Sequence, residues 1–291
     1  MIRATQFDAV SQLQAGPCSP FTTTSDVASR HGDDCELRSW SRVLNYDASV
    51  PGKLVEQLWS NPDELVAAGE SLVDKEMRRQ TVRATWGHQP LVVKRYDEQT
   101  LRHTVLRTLR PSRARQCWQN TRQLIQAGVA TPEPIAFVED RFGPLRGRSF
   151  LVYRYVAGQT LRHYVQQEPA DSPLLEQLAW QFAEMWRTLE ALHYYHEDSH
   201  LSNFIVDAEQ RLWVIDLDQI RRHPHSAGLQ HARERSLTKF MRGFAQHAEA
   251  AELFARHLQI NARDYIYRPS FRAGKRRPLR ALRAALTSLI W

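Results

Sequence analysis

Asp198, Asn203 and Asp216 are the residues of this chain whose types and spacing could do chemistry. They stand in His196-Glu197-Asp198-Ser199-His200-Leu201-Ser202-Asn203 and Leu212-Trp213-Val214-Ile215-Asp216. A carboxylate, an amide five residues on, and a second carboxylate closing an apolar strand suit phosphoryl transfer from ATP. In that chemistry Asp198 accepts the proton of the attacking hydroxyl, while Asn203 and Asp216 hold Mg²⁺ against the phosphates. The 13 residues from Asn203 to Asp216 must turn the chain back on itself. Phe204-Ile205-Val206-Asp207, the polar Ala208-Glu209-Gln210-Arg211 and the run Leu212 to Ile215 have the pattern of a β-hairpin, which brings the second Asp beside the first.

The same segment spells a rival motif. His196-Glu197-Asp198-Ser199-His200 reads H-E-x-x-H, which on a helix sets two imidazoles on one face for zinc, with Glu197 as general base. The run Leu174 to Tyr195 predicts a helix leading into it. Against a zinc hydrolase, the chain becomes strand-like at Phe204-Ile205-Val206, leaving no continuing helix for a third ligand. Phosphotransfer accounts for Asp198, Asn203 and Asp216 together. Zinc accounts for two His and a Glu.

The elements that must position these residues follow from pattern. Residues 1–35 are polar and aperiodic, with Thr22-Thr23-Thr24-Ser25, and are expected to be loosely ordered. Arg79 to Trp86 and Leu91 to Tyr96 read as strands around a turn at Gly87-His88-Gln89-Pro90. Ser112 to Ala127 reads as a helix with Gly128 just past its end. Ile135 to Val138 and Ser149 to Val156 read as two further strands. Beyond Ala157-Gly158, a plausible hinge, the pattern is mainly helical: Thr160 to Gln167, Leu174 to Tyr195, the hairpin, then helices from about Ala232. The expectation is an α+β, bilobal fold. A small antiparallel-sheet lobe with one helix spans 36–156, and a larger helical lobe with the catalytic hairpin spans 157–291. This layout sets Lys94 on a small-lobe strand, where a phosphotransferase keeps the lysine that grips the α- and β-phosphates. Alone, Lys94 reads as a strand-end lysine facing solvent. With the other three in order, the phosphate role is the better account.

Composition narrows the class. The 291 residues are 42% hydrophobic and 24% charged, ample for a core. No apolar run approaches the roughly 20 residues of a membrane span, and Met1 to Pro20 lacks the apolar core of a secretory signal. The cysteines, Cys18, Cys35 and Cys117, are odd in number and widely spaced, which predicts reduced thiols and a cytoplasmic protein. A net charge of +7 points to an anionic partner. No aromatic-basic RNA motif or DNA-reading fold is legible, so nucleic acid is not expected.

The chain resembles the bacterial lipopolysaccharide-core kinases, the Kdo and heptose kinases of protein-kinase-like fold. The residues that carry this are Val92-Val93-Lys94-Arg95-Tyr96, Trp118, Gly128-Val129-Ala130-Thr131-Pro132-Glu133-Pro134 and Phe150-Leu151-Val152-Tyr153-Arg154-Tyr155-Val156-Ala157-Gly158. The segment from Asp198 to Asn203 and Val214-Ile215-Asp216-Leu217-Asp218 complete the set. The resemblance runs from about residue 60 to 245. It implies an ATP- and Mg²⁺-dependent enzyme, cytoplasmic or peripheral at the inner membrane, that phosphorylates a sugar hydroxyl (heptose or Kdo) of the core glycolipid. Phosphorylation of another small molecule or a protein, or a catalytically dead relative, are the alternatives within the fold.

Three positions depart from the kinase pattern. No acid occurs between Glu98 and Glu133, so the helix that normally supplies a Glu to the strand lysine has none. Asp216 itself, or a carboxylate outside the helix such as Glu76, is the expected partner of Lys94. No G-x-G-x-x-G precedes Lys94; Gly69-Glu70-Ser71-Leu72 is the nearest candidate. Asp218 stands where D-F-G has its Gly, and a salt bridge from Asp218 to Arg221 or Arg222 is expected ahead of a second metal position. His196 reads as packing behind the catalytic loop, while His200 reads either as a contact to phosphate or acceptor or as solvent-facing. At the C-terminus, Arg272-Ala273-Gly274-Lys275-Arg276-Arg277 precedes Leu279, Leu282, Leu286 and Leu289 at helical spacing. This is either a docked helix with a solvated basic face or an amphipathic helix for an anionic membrane surface.

Overall fold

The computed structural model describes residues 27–31, 34–72, 79–97, 111–143, 145–223 and 226–268. An eight-stranded antiparallel sheet forms the small lobe. Its strands are β1 (Val27–His31), β2 (Asp34–Arg38), β3 (Arg42–Asp47), β4 (Glu70–Ser71), β5 (Arg79–Trp86), β6 (Gln89–Tyr96), β7 (Pro134–Phe142) and β8 (Leu145–Arg154). They are ordered β1-β2-β3-β7-β8-β6-β5-β4. Alternation along β8 separates two cores, because successive side chains leave a strand on opposite faces. Phe150 and Val152 face α1 (Gly52–Ser60) and α2 (Pro62–Ala67), which bury Leu54, Val55, Leu58, Leu65 and Val66. Leu151 and Tyr153 face α3 (Arg113–Gln126), which contributes Ala114, Cys117 and Trp118.

The large lobe holds β9 (Gln159–Thr160), α4 (Leu161–Gln167), α5 (Pro173–Ala191), β10 (Tyr194–His196), β11 (Phe204–Val206), β12 (Leu212–Val214), β13 (Ile220–Arg222), α6 (Ser226–Arg242), α7 (Ala248–Leu258) and α8 (Ala262–Ile266). Aromatic packing joins its helices: Phe182 of α5 stacks on Phe240 of α6 with centroids 3.8 Å apart, and Phe204 and Phe254 meet Phe182 through their edges. The chain passes between lobes at Tyr155 to Gly158. A Cβ on Gly158 would lie 2.1 Å from the Val206 carbonyl oxygen, so this crossing needs glycine to approach the β11 backbone.

Several expectations change. The sheet begins at β1, inside the 1–35 segment expected to be loosely ordered; residues 1–26 lie outside the described residues. The small lobe carries β2, β3, α1 and α2 in addition to the two hairpins and helix read from pattern. The helix expected to reach Tyr195 ends at Ala191, because His193 takes a left-handed conformation (φ 61°) that turns Tyr194 to His196 into a strand paired with β13. Cys35 and Cys117 are both buried, and Cys117 is a free thiol. The basic C-terminal helix and Glu76 lie outside the described residues.

Candidate active site

Lys94 enters the site from β6. Its neighbours Val93 and Leu91 point into the core under α1 and α2, so Lys94 shares the opposite face with Val92 and Tyr96. Only 9% exposed, it reaches across to the large lobe, with Nζ 2.5 Å from Asp216 Oδ1 and 3.4 Å from Asp218 Oδ1. Burial works against its ammonium, but Asp218 and Asp216 outweigh that cost and hold its pKa above the ordinary lysine value.

The candidate base and metal residues are set by the hairpin. β11 and β12 pair in the register Phe204↔Val214, and the turn between them is closed by Asp207, which accepts from the Arg211 amide at 2.8 Å and from the Trp213 indole at 2.6 Å. Asn203 Nδ2 donates to the Asp198 carbonyl at 2.6 Å, and the Ile215 amide donates to the Asn203 carbonyl at 2.9 Å. These two bonds lock the base segment to the strand end that carries Asp216. Asp216 sits in the left-handed region (φ 57°, ψ 52°), a conformation that costs a non-glycine residue energy and clusters at functional sites.

α6 braces the same segment. Ser236 Oγ donates to the His196 carbonyl at 2.6 Å, Ser199 Oγ donates to the Ser236 carbonyl at 2.5 Å, and Lys239 Nζ lies 2.9 Å from Asp198 Oδ1. His200 Nε2 is 3.3 Å from the same oxygen. Partial burial opposes ionisation of Asp198, but the Lys239 hydrogen bond and charge, then His200, outweigh it and hold the carboxyl below its usual value.

His196 is almost fully buried, and both its ring nitrogens are taken. Nδ1 accepts from the Asp198 amide at 3.2 Å, which leaves Nε2 to donate to the Ile215 carbonyl at 3.1 Å. Burial lowers its pKa and favours the neutral ring. This corrects the zinc alternative. His196 lies on a strand and His200 on the turn that follows, so the two do not share a helix face, and His196 has no free lone pair for a metal.

Lys94, Asp198, Asn203 and Asp216 all line one interlobe cleft of about 670 Å³. Leu72 and Val92 line it from the small lobe, Ile205 and Ile215 from the large lobe, and Arg154 to Val156 from the crossing. Apolar walls with a few convergent polar groups suit a planar base attached to a charged tail. The donor set fits Mg²⁺: Asp216 carries oxygen ligands, and Asn203, having committed its amide nitrogen to the Asp198 carbonyl, has its side-chain oxygen left for a hard cation. Gly69 does not cover this cleft. It closes α2 against β5, where a Cβ would come within 2.7 Å of Val82 Cγ2, and the connection 73–78 lies outside the described residues.

Asp218 does not form the expected salt bridge. Arg221 reaches only its backbone carbonyl, at 2.8 Å, while the carboxylate turns inward to accept from Tyr96 Oη at 2.6 Å and Cys117 Sγ at 3.4 Å. Sequence reasoning had no signal for Lys239, on another helix, or for Tyr96 as a partner. The D-L-D spacing did flag Asp218, though with the wrong contact.

Residues 56–265 match the lipopolysaccharide kinase (Kdo/WaaP) family. Among curated proteins, a 3-deoxy-D-manno-octulosonic acid kinase of Vibrio parahaemolyticus is 25% identical over 157 residues, 51% of this chain and 60% of the relative. A 3-deoxy-D-manno-octulosonic acid kinase of Vibrio vulnificus is 30% identical over 98 residues, 34% of this chain and 40% of the relative. The chain thus spans less than two thirds of the length of either relative. The family match covers well over half of the chain and includes every site residue described above, and the chain belongs to the lipopolysaccharide kinase (Kdo/WaaP) family.

Proposed function

We propose that this protein is an ATP-dependent kinase that phosphorylates a sugar hydroxyl, heptose or 3-deoxy-D-manno-octulosonic acid, of the lipopolysaccharide inner core. The observation that supports it best is the convergence of Lys94, Asp198, Asn203 and Asp216 on one cleft. Lys94 binds the α- and β-phosphates from the small-lobe side. Asn203 and Asp216 hold Mg²⁺, which when bound neutralises phosphate charge. Asp198 orients the acceptor hydroxyl and takes its proton, and its low pKa keeps it ionised at neutral pH. Val92, Ile205 and Ile215 exclude water around the base of the nucleotide. The functional units are residues 36–156, which grip nucleotide, and 157–291, which carry the base and metal ligands.

A cytoplasmic site, peripheral at the inner membrane, fits this substrate. No helix among the described residues is long and apolar enough to cross a membrane. The basic segment from Arg272 to Arg277 supplies charge for an anionic surface. The test is Mg²⁺-dependent transfer of labelled γ-phosphate from ATP to glycolipid acceptors ending in 3-deoxy-D-manno-octulosonic acid or in heptose. Transfer to one of them identifies the acceptor. Nucleotide binding without transfer to either sinks the core-sugar reading.

A further inference from the structure

The lysine that grips ATP in a protein kinase is held by a Glu on the small-lobe helix, and regulation acts by moving that helix. Here α3 presents Cys117 toward the lysine, and no carboxylate lies on it. Lys94 instead meets two carboxylates from a single turn, Asp216-Leu217-Asp218. Their surroundings differ. The Asp216 side chain is 32% exposed and lines the cleft, whereas that of Asp218 is 2% exposed and sealed by Tyr96 and Cys117. A buried carboxylate is tolerated only when its oxygens are occupied by donors and a counter-charge, and this one has both.

We propose that Asp218 is the positioning residue for Lys94, doing from the large lobe what the helix Glu does elsewhere, so that Asp216 is released for the metal. The assignment rests on the phosphotransfer reading and deepens it. When Asp216 turns to Mg²⁺, Lys94 loses its 2.5 Å partner, and Asp218 is the anion that keeps it in place. Because Asp216 and Asp218 share one turn of the large lobe, Lys94 is aligned by closure of the two lobes. α3 enters through the Cys117 thiol, which donates to Asp218 at 3.4 Å, and supplies no carboxylate.

The test is binding rather than turnover. A fluorescent ADP analogue is titrated into the full chain at a series of Mg²⁺ concentrations. In Asp218→Asn, which keeps shape and the Tyr96 contact, Lys94 competes with Mg²⁺ for Asp216. Nucleotide affinity should fall about ten-fold, the scale of one charge-assisted contact to a buried cation, and the half-saturating Mg²⁺ should rise. In a Lys94→Met background the same substitution should add little. Wild-type behaviour of Asp218→Asn, or an equal loss with and without Lys94, overturns the assignment and leaves phosphotransfer standing. If Asp218→Asn does not fold, Tyr96→Phe is read in its place: a raised Mg²⁺ requirement supports the assignment and an unchanged one overturns it. Absence of Mg²⁺-dependent nucleotide binding in the wild type sinks both readings together.

Discussion

Lys239 of α6 and Asp198, 41 residues apart, meet with Nζ 2.9 Å from Oδ1, and the same ammonium also donates to the Glu197 carbonyl. The candidate base is therefore aimed by a helix outside its own motif. Lys239→Ala should lower kcat by about a hundred-fold, the scale of one preorganised electrostatic contact in a closed site, with nucleotide affinity little changed. Removing the ammonium also removes the main cause of the depressed Asp198 pKa, so the acid limb of the kcat/KM profile should move up in pH. A limb that stays in place, or moves down, counts against this arrangement.

Asp198→Asn should bind Mg²⁺-nucleotide as the wild type does while turnover falls by about 10² to 10⁴, the usual share of a general base. Calorimetry for binding and single-turnover phosphate transfer separate the two. Equal losses in both would mean that Asp198 holds nucleotide and is not the base.

Asp216→Asn acts on the other half of the cleft. It removes a charged oxygen ligand, so nucleotide binding in the presence of Mg²⁺ should weaken markedly while binding without Mg²⁺ changes little. If affinity falls equally with EDTA present, Asp216 serves to anchor Lys94 alone.

His196 makes stability depend on pH. Its folded pKa is lowered, so the unfolded chain binds a proton there that the folded chain refuses. Above the unfolded value of about 6.5 the ring is neutral in both states and contributes no pH dependence. As pH falls below that value the melting temperature should drop, levelling only once the folded ring protonates. His196→Gln should flatten this part of the curve measured between pH 8 and pH 5. A curve as steep as that of the wild type assigns the effect to another group.

Phe240→Ala should destabilise the large lobe by about 3–5 kcal/mol in denaturant unfolding, the usual cost of truncating a buried phenylalanine. Phe240 is fully buried and stacks on Phe182, so its loss opens the joint between α5 and α6 and with it the support for Lys239.

The convergence of the candidate site was legible because the chemistry proposed for it would force residue types into short intervals. A candidate base and an amide on one loop, and a candidate metal carboxylate at the end of the next hairpin, leave an imprint at Asp198, Asn203 and Asp216. Lys94 is marked by the strand around it. Tertiary contacts leave no such imprint. Asp218 chose Tyr96 and Lys94, some 122 residues away, over the arginines three and four positions on, because only the inward route satisfies a buried carboxylate. β3 is held by its register with β7, Leu44↔Val138 and Tyr46↔Ala136, a pairing nearly 100 residues distant that local pattern cannot announce. The apolar run to Tyr195 fits a longer helix by period. One left-handed residue, His193, ended it.

The register between β3 and β7 also bears on how the protein can be handled. The family match begins at residue 56, after β1, β2 and β3, so a fragment cut to 56–265 loses the outer third of the sheet. β7 is apolar on both faces through Ile135, Ala136, Phe137 and Val138, and its pairs from Arg42↔Asp140 to Tyr46↔Ala136 would be left without partners. A long, flat, apolar strand with a free edge recruits other strands. Such a fragment should aggregate even with every candidate site residue intact, which makes β1 to β3, ahead of the family match, the part that covers the β7 edge.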